Sequence, residues 1–88
     1  MASVELYSTA ICPYCVAAKT LLKQRGLNYT EIRVDTDPAR RDEMLSRAAG
    51  RRSVPQIFIN GIHIGGFDDL VVADRSGRLA EIIGTADG

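Results

Sequence analysis

The chain contains two cysteines, Cys12 and Cys15, with only two residues between them. Residues 3–8, just before them, alternate apolar and polar side chains and predict a short strand. After them, apolar residues recur at helical spacing until Gly26, which supplies a stop. A cysteine pair that follows a strand and opens a helix is typical of redox-active α/β proteins. This arrangement restricts the possible folds more than any other feature of the sequence.

Length and composition exclude several classes of protein. With 88 residues the chain has room for one core, so we expect a single domain over residues 1–88. Eleven basic residues balance eleven acidic ones, so no net field favours nucleic acid or a membrane surface. The apolar runs are too short to span a bilayer, and the N-terminus shows no secretory signal. Two cysteines do not make a secreted disulfide framework, which favours a reducing, cytoplasmic location.

The middle of the chain predicts a second strand and a second helix. Residues 28–35 alternate again and indicate a strand, although polar residues blur the period. Asp37 is a suitable N-cap, Pro38 suits the first helical position, and Gly50 ends the segment.

The C-terminal third predicts a hairpin and a closing helix. Residues 55–66 contain two short β-branched runs that turn at Asn60–Gly61, a strong hairpin signal. Residues 68–84 have one or two helical turns on either side of Ser76–Gly77. The predicted order is β-α-β-α-β-β-α, a four-stranded mixed sheet with helices on both faces. Its first two strands should be parallel, joined by a right-handed crossover, and the first strand should be central and the most hidden.

Pro13 predicts how the two thiols differ. Proline is favoured at the first position of a helix, which makes Cys12 the N-cap residue. A thiolate there is stabilised by free N–H groups and by the positive end of the helix dipole. Cys15 lies one turn inward, with its Cα about 5–6 Å from that of Cys12, within disulfide range. Cys12 is therefore the predicted exposed nucleophile and Cys15 the resolving thiol.

Two other readings of the cysteine pair are weaker. A zinc site needs four ligands, whereas the chain offers two cysteines and His63, so zinc would require carboxylates or a dimer. A purely structural disulfide across so short a loop would constrain the unfolded chain very little.

Three motifs in order resemble a dithiol glutaredoxin: "CPYC" after a strand, "SVP" at residues 53–55 and "GGFDDL" at residues 65–70. The resemblance covers nearly the whole chain and implies a thioredoxin-like fold. It also implies a glutathione-dependent oxidoreductase that reduces protein disulfides and glutathione mixed disulfides. Glutathione would be a cosubstrate, with no permanently bound cofactor, and the protein a monomer that acts on disulfide-containing or glutathionylated proteins.

The resemblance implies a set of glutathione-binding residues as well. Pro55 would follow a cis bond, leaving the Val54 backbone free to pair with glutathione as an added strand does. Asp69 would meet the γ-glutamyl amine, and Arg51 or Arg52 the glycyl carboxylate. The expected site comprises Tyr14, Arg52, Ser53, Val54, Pro55, Gly66, Phe67, Asp68 and Asp69.

Simpler roles remain open for several of these residues. Pro55 could merely start a strand, Asp68 could only cap a helix, and Arg51 and Arg52 could be a solvated pair. His63 is expected to be an exposed strand residue rather than a catalyst. Ordinary helix-surface positions are expected for Arg40, Arg41 and Arg47.

Two alternative functions are compatible with the same motifs. A redoxin of similar fold could be reduced by thioredoxin reductase, but the "GGFDDL" helix start would then have no ligand. A carrier could hold an iron–sulfur cluster between two chains with Cys12 and glutathione. Pro13 argues against the carrier, because similar carriers usually have a glycine or a small residue there.

The chain departs from the family pattern at Thr9, where glutaredoxins commonly carry a lysine three residues before the nucleophile. Ser53 also replaces the usual threonine, which keeps the hydroxyl. Without the lysine, the helix N-terminus must supply most of the stabilisation of the Cys12 thiolate.

Thr9→Lys should lower the pKa of Cys12. A cation at about 6–8 Å contributes on the order of 1–2 kcal/mol at an effective dielectric of about 20–40, roughly one pKa unit. Added salt should shrink the effect, because the site is exposed. Titration of thiolate absorbance would measure both chains, and the wild-type pKa should already lie below about 8.5. A wild-type Cys12 that titrates like a free thiol would contradict the N-cap assignment.

Overall fold

The computed structural model describes the backbone of residues 2–87 and the side chains of residues 2–84. Four strands form one mixed sheet in the order β2-β1-β3-β4. The strands are β1 (Val4–Ser8), β2 (Thr30–Arg33), β3 (Gln56–Ile59) and β4 (Ile62–Gly65). The helices are α1 (Pro13–Gln24), α2 (Pro38–Arg47), α3 (Phe67–Ser76) and α4 (Arg78–Asp87).

The pairing of the strands confirms the predicted mixed sheet. β1 runs parallel to β2 and antiparallel to β3, and β3 and β4 form an antiparallel hairpin. The hairpin turns at Asn60 and Gly61, whose φ values are 54° and 79°. Positive φ at both central positions matches the right-handed twist of the strands, which is why Asn-Gly favours this turn.

Helices cover both faces of the sheet, as predicted. On one face Leu6 and Ile57 pack with Leu22 of α1 and Leu70 of α3. On the other face Tyr7 and Phe58 pack with Met44 and Ala48 at the end of α2. The two apolar clusters follow from the alternation of side chains along β1 and β3.

The prediction that β1 is the most hidden strand is wrong. All four residues of β3 are buried, whereas Glu5 in β1 is half-buried. Both strands are interior to the sheet. The Glu5 carboxylate, however, forms an ion pair with Arg47 of α2 and remains partly exposed to solvent.

The helix boundaries differ from the expectations at two places. α2 begins after the Asp37 cap as predicted, but it ends at Arg47, three residues before Gly50. The break at Ser76–Gly77 lies where it was predicted, but the segments on either side are two full helices of 10 residues each, α3 and α4, with Gly77 between them at φ 86°. A glycine takes that conformation without the steric cost that other residues meet, so the chain changes direction there.

The expectation that Arg47 is an ordinary surface residue is also wrong. Its guanidinium lies 4.1 Å from the Phe58 ring centroid and donates to both carboxylate oxygens of Glu5 at 3.0 Å. Arg40 and Arg41 are exposed as predicted, and Arg40 pairs with Glu43 on the helix surface. The side chain of Arg47 thus joins α2 to the sheet.

Within the described part of the chain, no helix combines the length and the apolar character that crossing a membrane would require.

The hairpin offers a matched test of core packing. Ile59 is fully buried, whereas its cross-strand partner Ile62 is 42% exposed. Ile59→Val should lower the free energy of unfolding by about 0.5–1.5 kcal/mol, because it deletes a buried methylene and leaves a small cavity. Ile62→Val should change it by less than about 0.5 kcal/mol. Urea denaturation of both variants measures the difference, and equal losses would contradict the packing described for β3.

Candidate active site

The cysteine pair lies at the N-terminus of α1. Cys12 is the N-cap residue with extended backbone, φ −151° and ψ 98°, and Pro13 occupies the first helical position. The backbone N–H of Cys15 donates to Cys12 Sγ at 3.1 Å. This is the geometry predicted from Pro13, and a thiolate at Cys12 would receive the same donor and the positive end of the helix dipole.

The two sulfur atoms are bonded to each other in a disulfide. Their Cα atoms are 5.2 Å apart, within the predicted distance. Cys12 is half-buried, whereas Cys15 is only 1% exposed and packs inside the domain. An incoming disulfide can therefore contact Cys12 directly. The buried Cys15 sulfur, by contrast, is in position to react with the sulfur of Cys12.

The loop before β3 runs directly beside Cys12. The Val54–Pro55 peptide bond is cis, as the resemblance implied, and the carbonyl oxygen of Val54 lies 3.8 Å from Cys12 Sγ. The antiparallel pairing of β1 and β3 explains this approach, because Tyr7 near the end of β1 is aligned with Gln56 at the start of β3. The segments that follow β1 and precede β3 must therefore meet at one edge of the sheet.

A cavity of about 400 Å³ opens next to this loop. It includes eight of the nine predicted glutathione-binding residues, but Arg51 takes the place expected for Arg52. The aromatic rings of Tyr14 and Phe67 lie on its border with centroids 6.2 Å apart. The lining residues are Tyr14, Arg51, Ser53, Val54, Pro55, Gly66, Phe67, Asp68 and Asp69.

Opposite charges meet within the cavity. Arg51 Nη1 donates to Asp69 Oδ2 at 3.2 Å, and both side chains are about half exposed. The backbone N–H of Gly66 donates to the same Asp69 oxygen at 2.9 Å. This N–H, followed by Arg51, lowers the pKa of Asp69, so the carboxylate is charged at neutral pH. The start of α3 is therefore capped by Asp69, and not by Asp68 as one reading of the sequence expected.

Gly65 makes room for this ion pair. Its φ is +119°, and a Cβ atom there would collide with the Asp69 carboxylate and the Arg51 guanidinium. Only glycine has both the backbone freedom and the space.

Asp35 is a site residue that the sequence interpretation missed. Its carboxylate accepts the Ala10 backbone N–H at 3.0 Å and forms two hydrogen bonds with Arg33. These bonds hold the pKa of Asp35 well below its usual range, with the Arg33 guanidinium as the main cause. The loop between β1 and Cys12 is thereby tied to the end of β2. The sequence did contain a signal for this contact. β1 and β2 were predicted to be parallel neighbours, and such strands end at the same edge of a sheet, so the segments that follow them should lie close together.

The structure also corrects the expectation for His63. It is half-buried, its ring stacks on Phe58 at 4.7 Å, and its Nε2 lies 2.7 Å from Gln56 Oε1. Burial lowers the pKa of His63, and the charge of Arg51 acts in the same direction. Among residues 2–84, moreover, no three histidine, cysteine, aspartate or glutamate side chains form a group that could hold a metal ion.

A half-buried N-cap cysteine, a buried partner one turn away and a cis-proline loop beside them define a thiol–disulfide oxidoreductase of the thioredoxin-like fold. The family model described as "Glutaredoxin" matches residues 4–64. The chain therefore belongs to the glutaredoxin family.

Individual relatives extend the similarity over nearly the whole chain. "Glutaredoxin 3" of Escherichia coli (strain K12) is 47% identical over 83 residues, which cover 94% of this chain and 99% of that one. A probable glutaredoxin of Synechocystis is 43% identical, covering 93% of each chain. The crystal structure of a buckwheat glutaredoxin–glutathione complex superposes with a TM-score of 0.83 at 33% identity, covering 93% of this chain and 76% of that one.

Proposed function

We propose that this thiol–disulfide oxidoreductase uses glutathione as its reductant and reduces both protein disulfides and glutathione mixed disulfides. The observation that carries the proposal is the charged cavity beside Cys12, where Asp69 supplies a carboxylate and Arg51 a guanidinium. Glutathione carries an ammonium group and two carboxylates on a short extended peptide. The buckwheat structure that this chain resembles is a complex with glutathione.

The lining residues support one arrangement of the bound ligand. The cysteinyl part of glutathione would lie along the Val54 backbone as an added strand, with its sulfur next to Cys12. Its γ-glutamyl ammonium group would meet Asp69, and its sulfur would be flanked by Tyr14. Arg51, and not Arg52, is the arginine on the cavity wall and would meet a carboxylate.

In the free protein the two charged groups neutralise each other. Arg51 and Asp69 form an ion pair with each other. Glutathione would break this pair on binding and form two new ones, between its ammonium group and Asp69 and between a carboxylate and Arg51. The exchange adds little net Coulomb energy for half-exposed groups, but it selects ligands that carry both charges.

The reduction of a protein disulfide takes two exchanges. The Cys12 thiolate attacks one substrate sulfur, forms a mixed disulfide and releases the other sulfur as a thiolate, which takes up a proton. The Cys15 thiolate then attacks Cys12, which frees the reduced substrate and leaves the Cys12–Cys15 disulfide seen in the structure.

Glutathione returns the enzyme to the dithiol form. One glutathione thiolate attacks Cys12, breaks the Cys12–Cys15 bond and releases the Cys15 thiolate. A second glutathione thiolate then attacks the sulfur of the bound glutathione, which releases the Cys12 thiolate and glutathione disulfide. A glutathionylated substrate needs Cys12 alone, since its glutathione is transferred to Cys12 and removed by a second glutathione. An NADPH-linked reductase would regenerate glutathione elsewhere.

The remaining parts of the proposal concern the setting. We take residues 1–88 to act as one monomeric domain in the cytoplasm on disulfide-containing or glutathionylated proteins. A reducing compartment with abundant glutathione is where such a dithiol can be turned over repeatedly.

The roles of the two thiols can be separated by serine substitutions. Cys12→Ser should abolish activity on every substrate, because Cys12 is the N-cap nucleophile. Cys15→Ser should retain reduction of a glutathione mixed disulfide and lose most reduction of a protein disulfide. A coupled assay with glutathione, glutathione reductase and each substrate measures both. Equal losses in the two variants on the glutathionylated substrate would contradict the assignment.

Glutathione recognition can be tested at Asp69 without removing its cap. Asp69→Asn keeps an oxygen that can accept the Gly66 N–H but loses the charge. We expect the KM for glutathione to rise about fivefold, the factor expected for one charged hydrogen bond at a half-exposed site. The rate of Cys12 alkylation by iodoacetamide should not change.

Asp42→Asn is the matched control, since Asp42 is an exposed residue of α2 and does not line the cavity. Its KM for glutathione should equal that of the wild type. If Asp69→Asn also keeps the wild-type KM, Asp69 serves only as a helix cap.

A further inference from the structure

A chain of side-chain hydrogen bonds connects β4 to the loop beside Cys12. His63 in β4 contacts Gln56 in β3, with 2.7 Å between Nε2 and Oε1. The Gln56 amide nitrogen donates to the Ser53 carbonyl oxygen at 3.0 Å and to Ser53 Oγ at 3.2 Å. Ser53 precedes Val54, whose carbonyl oxygen faces Cys12 Sγ. The chain therefore ends at the backbone on which glutathione is proposed to lie.

The direction of these hydrogen bonds is determined by the acceptor at Ser53. A backbone carbonyl oxygen can only accept, so the Gln56 nitrogen must face Ser53 and its oxygen must face His63. His63 must then carry a hydrogen on Nε2 to donate to that oxygen. Gln56 is completely buried, so removal of either partner would leave its amide oxygen or nitrogen without a hydrogen bond, because water cannot replace the lost partner.

His63 is itself held in one orientation. Its ring is nearly parallel to that of its cross-strand partner Phe58, at 4.7 Å and an angle of 21°. The Arg47 guanidinium also lies against the Phe58 ring and is fixed by two hydrogen bonds to Glu5. The aromatic stack anchors the far end of the chain to the sheet and to α2.

From this arrangement we infer that Gln56 and His63 are positioning residues for glutathione. They hold the Ser53–Val54 backbone in place beside Cys12, where glutathione is proposed to lie, without touching the ligand themselves. The inference rests on the proposed function, because it names what orients the same site. Positioning of this kind affects the binding of the glutathione moiety and leaves the intrinsic reactivity of the thiolate unchanged.

Two variants break the chain at different links. His63→Leu removes the donor to Gln56 and keeps an apolar side chain against Phe58. Gln56→Glu replaces the donor to Ser53 by a carboxylate that repels the carbonyl oxygen. In each, the KM for a glutathionylated peptide should rise about fivefold or more, which corresponds to the loss of one buried hydrogen bond. The kcat and the rate of Cys12 alkylation by iodoacetamide should stay within about twofold of the wild type.

Two further variants separate positioning from general destabilisation. His63→Gln places an amide nitrogen where Nε2 lies and should restore a KM near the wild-type value. Ile59→Val deletes a buried methylene from the apolar cluster on the other face of the sheet, which does not include Phe58 or His63. Ile59 has no part in the hydrogen bonds to Ser53, so the KM of this variant should not change even if its melting temperature falls.

The double variant His63→Leu/Gln56→Glu gives the coupling between the two residues. Because both act through one chain, its KM should be no higher than that of the worse single variant. If His63→Leu does not fold, the contrast between Gln56→Glu and His63→Gln decides the question.

The outcomes distinguish the two levels of inference. An active wild type with an unchanged KM in His63→Leu and Gln56→Glu would overturn the positioning role alone. A His63→Gln variant as impaired as His63→Leu would also overturn it. A wild type that does not turn over glutathionylated peptide would overturn the proposed function and the positioning role together.

Discussion

The antiparallel pairing of β1 with β3 is the contact on which the active site depends. Leu6 opposite Ile57 and Tyr7 opposite Gln56 set the register of the two interior strands. A slip of one residue would move every apolar side chain to the other face, so the two separate cores hold the register in place. Because that register is determined by burial, the chain segments at the ends of the strands are brought together regardless of their own sequences. Cys12 and the Val54 carbonyl meet for this reason.

The electrostatics of the site follow from local donors and compensated charges. Cys12 receives a backbone N–H at the start of α1, while Arg33 and Arg51 are each paired with an aspartate. A cation whose charge is neutralised by a close carboxylate contributes little field at a thiolate several ångströms away. The donor that the structure provides for a Cys12 thiolate is therefore at the helix terminus. In the proposed function, specificity for glutathione would come from the Arg51–Asp69 pair, which the ligand has to separate.

The face of the sheet under α2 holds both an apolar cluster and the hydrogen bonds that reach the loop beside Cys12. Arg47, Phe58 and His63 stack on this face of the sheet. Gln56 forms hydrogen bonds to both His63 and Ser53 and so connects the stack to the loop. Gln56, the buried member of this chain, has hydrogen-bond partners at both ends and is held rigidly, since it would lose one of them on moving. All buried side-chain nitrogen and oxygen atoms of the described residues have a partner. The loop at residues 53–55, on which glutathione is proposed to lie, is therefore supported from the side opposite to α1 and α3.

Sequence alone determined those features that arise between residues a few positions apart. Pro13 placed Cys12 at the helix N-cap, Asn60–Gly61 specified the hairpin turn, and alternation and helical spacing identified most of the strands and helices. Local sterics and backbone hydrogen bonds decide such features, and they act the same way in any fold.

Only the tertiary structure decided which distant side chains meet. It brought Arg51 rather than Arg52 to Asp69, and it packed the half-buried side chains of Arg47 and His63 against Phe58, where the sequence had predicted surface positions. Their surroundings are set by strand register and by how α2 lies on the sheet. Both result from the packing of the whole core, and no pattern within a short stretch of sequence encodes the outcome.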